Sequence, residues 1–171
     1  ARLGGIQARL ERFVRDPGCE EPSMLAQDLI TTGRLDDALD VTCAALADDD
    51  EDADLLLAHA RVLRARGDRD HAEETLERAI AHARDWAEPL RDLAELWLER
   101  EAPHEARVVI ERGLSLDPEH RALGALWLRV EAALEELEPE VDLDAVSVSD
   151  GANALAPEDV AWVEGVAGSA L

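Results

Sequence analysis

Lysine and tyrosine are both absent from this chain of 171 residues, and asparagine occurs once, at Asn153. All 17 basic residues are arginine, set against 40 Asp and Glu, for a formal net charge of −23. Phosphate backbones are held by clustered cationic side chains, so this balance argues against a nucleic-acid partner. It argues equally against an anionic membrane surface. Aromatic residues make up 3% of the chain, as four Trp and one Phe. With few large rings and abundant Ala, the interior is expected to consist of closely approaching helices. The two cysteines, Cys19 and Cys43, have neither CxxC spacing nor a histidine at ligand spacing. They read as reduced side chains of a cytoplasmic protein. No apolar run reaches the roughly 18 residues of a transmembrane helix, and no signal-type segment is present. The chain begins with Ala rather than Met, which leaves open whether it is a piece of a longer protein.

Constellations that carry chemistry are missing as well. His59, His71, His82, His104 and His120 form no HExxH motif and no pair at helical spacing, so no metal is expected. His59 reads as a core histidine. The run Asp48-Asp49-Asp50-Glu51-Asp52 lacks the mid-loop Gly and terminal Glu of a calcium loop. It reads as a solvated loop whose acids favour the start of the following helix. Serines 23, 115, 147, 149 and 169 lie in no nucleophile motif, and no Gly-rich phosphate loop exists. Neither an enzyme nor a cofactor is expected.

What the chain does have is helical periodicity, and 47% of it is apolar. The stretch 53–86 reads as two amphipathic helices joined at Gly67-Asp68, with Leu56 and Leu63 on the first and Ala72, Leu76, Ala79 and Ile80 on the second. A helix pair of this size cannot bury its own apolar stripe and needs neighbours. Before it, residues 1–18 carry Leu3, Ile6, Leu10 and Phe13 at helical steps, ended by Asp16-Pro17-Gly18. This is expected to be a capping helix or a degraded half-repeat.

From Cys19 a period of 34 residues is visible. Gly33 recurs as Gly67; Ala26, Ala60 and Ala94 align, as do Ala38, Ala72 and Ala106, and then Ala45, Ala79 and Gly113. Large apolar residues recur between them, among them Leu25, Leu29, Leu63, Leu93 and Trp97, then Leu46, Ile80 and Leu114. This pattern resembles the tetratricopeptide repeat (TPR) family in three contiguous units, 19–52, 53–86 and 87–120. The third unit ends in Asp117-Pro118, as the family's repeats often do. Glu101 stands where the turn glycine is expected, and Asp50 and Arg84 stand where the family often has proline. These departures are expected to alter turn detail and not architecture. The resemblance implies an all-α superhelical solenoid. The 19–138 block would be completed by a capping helix at 121–138, with Leu123, Leu126, Trp127, Val130, Leu134 and Leu137 facing the last repeat.

The resemblance also implies a concave groove lined by the first helix of each unit. Carried onto this chain, that surface comprises Glu20, Ser23, Gln27 and Ile30, then Asp54, Leu57, Arg61 and Arg64. Glu88, Arg91, Glu95 and Leu98 follow, and the capping helix is expected to add Arg129. Two readings of the groove arginines stand side by side. They grip a partner's carboxylates through paired hydrogen bonds, each such contact contributing about 1.5–3 kcal/mol. Alternatively they pair with Glu88, Glu95 and Asp54 on the helix surface, each pair contributing roughly 0.2–0.5 kcal/mol. The family's dicarboxylate clamp for chaperone C-termini needs Lys and Asn at set positions, so that specialised role is not expected here.

Residues 139–171 differ in kind. Val141 to Val148 alternates apolar with acidic or small polar residues, and Pro157 to Val163 reads as a short helical turn. From Glu138 onward the chain has eight acids and no base. Val141, Leu143, Val160 and Trp162 are anchors for docking, for self-association or for capture by a partner; an unstructured acidic linker is the other reading. The function expected from the whole is a non-enzymatic protein-interaction module, an adaptor or scaffold. Its groove takes a peptide or helical segment, acidic in one reading. The alternative is a small chaperone like those of type III secretion, class II, which the resemblance also covers.

Overall fold

The computed structural model describes residues 2–137, all of whose regular structure is helical. Eight α-helices follow one another: α1 (Arg2–Arg15), α2 (Pro22–Thr31), α3 (Leu35–Leu46), α4 (Ala53–Arg66), α5 (Arg69–His82), α6 (Ala87–Glu99), α7 (Pro103–Leu116) and α8 (Arg121–Leu137). A short 3₁₀ turn, Pro17–Cys19, separates α1 from α2. The alternation read at 141–148, the helical turn near 157–163 and the anchors Val141, Leu143, Val160 and Trp162 lie outside the described residues.

The 34-residue spacing appears directly in the helix starts, at Ala53, Ala87 and Arg121 for α4, α6 and α8, and at Leu35, Arg69 and Pro103 for α3, α5 and α7. Only α2 departs, beginning at Pro22 because the 3₁₀ turn occupies the preceding residues. Each helix packs on the next in sequence, and α2 also contacts α4, as α6 contacts α8. That is a solenoid's connectivity, in which every unit touches only its neighbours.

Helix ends follow from local chemistry. The Asp52 carboxylate accepts hydrogen bonds from the Asp54 and Leu55 amides at 2.9 and 3.2 Å and caps α4. At the other end Gly67 has φ +86°; its amide bonds to the Arg64 carbonyl and that of Asp68 to the Leu63 carbonyl, both at 2.9 Å. The same paired hydrogen bonds close α2 around Gly33 (φ +76°) and α6 around Glu101 (φ +58°). The turn at Glu101 is therefore the same turn as at the two glycines, held without glycine.

A left-handed non-glycine residue costs roughly 1–2 kcal/mol, whereas the greater freedom of glycine in the unfolded chain costs about 0.4–1 kcal/mol. Glu101→Gly is accordingly expected to stabilise the fold by about 0.5–1 kcal/mol. Gly67→Ala should destabilise it by a similar amount. Urea unfolding midpoints of the two variants check both signs.

The small residues singled out by the repeat lie where helices approach. Ala26, Ala38, Ala72, Ala79, Ala94 and Ala106 are fully buried, and Ala45, Ala60 and Gly113 are buried. At Gly113 a Cβ would fall 2.6 Å from Cδ1 of Leu123, so a side chain there would require the buried Leu123 to shift. Between these contacts the core forms three overlapping apolar clusters. Ile6 and Phe13 of α1 join Leu25, Leu29, Val41 and Val62; Leu57, Leu76, Ile80, Leu90 and Leu96 form the middle; Ile110, Leu123, Leu126 and Val130 form the last. Burying each large aliphatic side chain contributes about 1.5–3 kcal/mol.

His59 is half-buried on α4, with Nδ1 2.8 Å from the Thr42 hydroxyl. Burial pushes its pKa down, and Arg78 adds to the effect. It is a half-buried histidine whose Nδ1 is paired with Thr42.

A charged concave groove as the candidate functional site

The first helices of the three units, α2, α4 and α6, line an open groove of about 700 Å³. Residues spaced three and four apart fall on one helical face. Arg61 and Arg64 of α4 thus face Glu88, Arg91, Asp92, Glu95 and Glu99 of α6, with Gln27 and Ile30 of α2 on the far side. The groove continues past Arg61 and Glu88 into a smaller recess bounded by Ser23, Met24, Asp54, Leu57 and Trp86.

The groove guanidiniums are engaged by carboxylates. Arg61 Nε donates to the Asp92 carboxylate, and its Nη2 lies 3.6 Å from Glu88. Arg64 Nη2 is 2.7 Å from Glu95 and its Nε 3.2 Å from Glu99. Arg91 is bound to the neighbouring Asp92 and lies 3.2 Å from Glu88. Of the two readings left open by the sequence, pairing within the protein is present among the described residues, with partners that differ from those expected. Asp92 and Glu99 take the part expected of Asp54, which lines the recess instead.

Asp92 is the centre of this network. It is 2% exposed, a carboxylate placed in the interior between two guanidiniums. For Arg91, burial opposes the charge, but Asp92, Glu88 and Glu95 outweigh it and hold the guanidinium above its usual range. Among the described residues its buried Nε has no hydrogen-bond partner. Glu88 links the network to the next unit, because His120 Nε2 lies 3.1 Å from its carboxylate. His120 Nδ1 accepts from the Leu123 amide at 3.2 Å, so Nε2 carries the proton that is donated to Glu88. One imidazole thereby caps α8 and braces the groove wall.

Gln27, Arg61, Arg64, Arg91 and Glu95 are therefore brought together. Arg129 is not among the residues lining the groove and is exposed on α8. Glu20 is turned away as well: its side chain is mostly buried and held by Arg9 at 2.9 Å and by Arg12, both on α1. Asp92 and Glu99 were missed by reasoning from the sequence. The signal for them was available, since both continue the helical stripe that begins at Glu88 and Glu95.

Fold and site together define an all-α solenoid with the tetratricopeptide-repeat fold, presenting a charged groove on the face formed by its first helices. No family profile and no curated protein matches the sequence. Among solved structures, the first TPR domain of human RPAP3 is similar with a TM-score of 0.64 at 18% identity, covering 70% of this chain and 94% of that one. The Sgt2 TPR domain from Aspergillus fumigatus gives 0.65 at 18% identity, over 78% and 89% of the two chains. The Yersinia enterocolitica type III secretion chaperone SycD, in complex with a peptide of the translocator YopD, gives 0.57 at 21% identity over 68% and 89%.

Proposed function

We propose that this chain is a non-enzymatic protein-interaction module whose groove between α2, α4 and α6 receives an extended or helical segment of another protein. The observation that carries the reading is the groove itself, an open volume of about 700 Å³ lined by α2, α4 and α6. Proteins of similar fold are bound to peptides: the first TPR of Spaghetti (RPAP3) to the HSP90 peptide SRMEEVD, and SycD to a peptide of the translocator YopD.

Because the arginines are already paired, an acidic segment would have to displace Glu88, Glu95 or Glu99. The groove is thus better suited to a segment of mixed polarity than to a run of acids. The second reading, a small chaperone of the type III secretion kind, is supported by the likeness to SycD. A gene beside a secretion apparatus would favour it. A cytoplasmic location fits both readings; among the described residues no helix is long and apolar enough to cross a membrane.

The test is affinity purification from the source cell with mass spectrometry, comparing the natural chain with a Gln27→Arg, Arg64→Glu variant. These two sites line the groove without touching Asp92. If the groove is the site, recovery of specific partners falls by about tenfold or more, as expected for charge reversal at an interface centre. Undiminished recovery of every partner from a folded variant contradicts the reading.

A further inference from the structure

The repeat points to a face of α8 that no second helix covers among the described residues. In α4 and α6 the residues Leu56 and Ala60, and Leu90 and Ala94, are at most 1% exposed. Their counterparts one period on are Gly124 and Leu128 of α8. Leu128 is 71% exposed, and a Cβ built at Gly124 would meet nothing within 4 Å. Among the described residues no second helix covers this side of α8.

The exposed stripe runs Arg121, Ala125, Leu128, Ala132, Glu135, at alternating steps of four and three that keep one side of a helix facing a neighbour. It is also self-complementary. An antiparallel copy of α8 centred on Leu128 sets Leu128 against Leu128, the adjoining Gly124 against Ala132, Ala125 against Glu131, and Arg121 against Glu135 at both ends. Small residues flanking a central leucine let two helix backbones approach, and opposite charges close the contact twice, as a two-fold axis requires. Any other register loses one of these matches; a parallel pairing sets Arg121 against Arg121.

We propose that α8 is a self-association face, through which two copies of this chain pair antiparallel about a two-fold axis at Leu128. The contact is distinct from the groove, so each can be lost without the other.

Sedimentation equilibrium of the full chain at physiological salt, over a wide concentration range, tests it. The natural chain is expected to show a monomer–dimer equilibrium, and Leu128→Glu to weaken it by at least about tenfold. Arg121→Glu and Glu135→Arg should each weaken it, because each sets like charges together at both ends. An equimolar mixture of those two single variants should recover association, since the heterodimer restores both opposite-charge pairs. All three sites are on the surface, and circular dichroism verifies that the variants fold. A chain that remains monomeric at every concentration overturns the proposal. So does a dimer that Leu128→Glu leaves unchanged, which would place self-association elsewhere, for instance in residues 139–171. A mixture no stronger than its components overturns the antiparallel register.

Discussion

The double substitution Arg61→Met, Arg91→Met is expected to lower the free energy of unfolding by about 3–5 kcal/mol, although both residues face an open groove. The cost comes from Asp92. Its side chain is 3% exposed, and these two guanidiniums are the charges that compensate it. Methionine retains most of the aliphatic stem of arginine, so packing is largely kept and the uncompensated carboxylate dominates. Adding Asp92→Leu removes that charge and should restore most of the loss, since an apolar replacement of a buried ion pair is often neutral or stabilising. Urea unfolding of the double and triple variants separates the causes. A triple variant as unstable as the double would mean that the arginines act through their stems.

Leu76→Ala should destabilise by about 2–5 kcal/mol, as expected for truncation of a fully enclosed leucine. Leu76 lies on α5 at 1% exposure, in the cluster that also holds Leu57 of α4 and Leu90 of α6. It therefore joins two units. In a solenoid, stability is a sum of unit and neighbour terms, so weakening the central junction also loosens the cooperativity between the ends. A reduced denaturant slope alongside the lower midpoint would report that loosening. Val108→Ala is the control: the side chain is 67% exposed, and the change should stay within about 0.5 kcal/mol. A midpoint for Leu76→Ala close to that of Val108→Ala would contradict the packing described here.

The architecture was legible because each repeat position has one physical reason for its residue type. Gly67 ends a helix left-handed, and Ala60 and Ala72 let α4 and α5 approach. These are local requirements that a single sequence displays by recurrence. Glu101 shows where the reasoning blurs, because the departure from glycine was visible but not that the same strained turn would persist. The groove was legible as a face and not as a network. Helical spacing placed Arg61, Arg64 and Arg91 on one surface, but which carboxylate each would take depends on how far α4 and α6 approach. Asp92 belongs to the edge of that face, and only the packed structure puts it in the interior. Arg129, one period on from Glu95, is exposed on α8 and does not line this stretch of the groove. The capping helix keeps the repeat's register, but residues lining the groove come from α2, α4 and α6.

The central claim is that a partner segment lies in the groove between these three helices. Photo-crosslinking in the source cell tests it most directly, with a benzophenone amino acid at Gln27 on the concave side, or at the exposed Val108 of α7 as the control. Crosslinks to a specific protein from position 27, lost in the Arg64→Glu background and absent from position 108, are the predicted result. The same partner captured equally from position 108, or from position 27 regardless of Arg64, would contradict it.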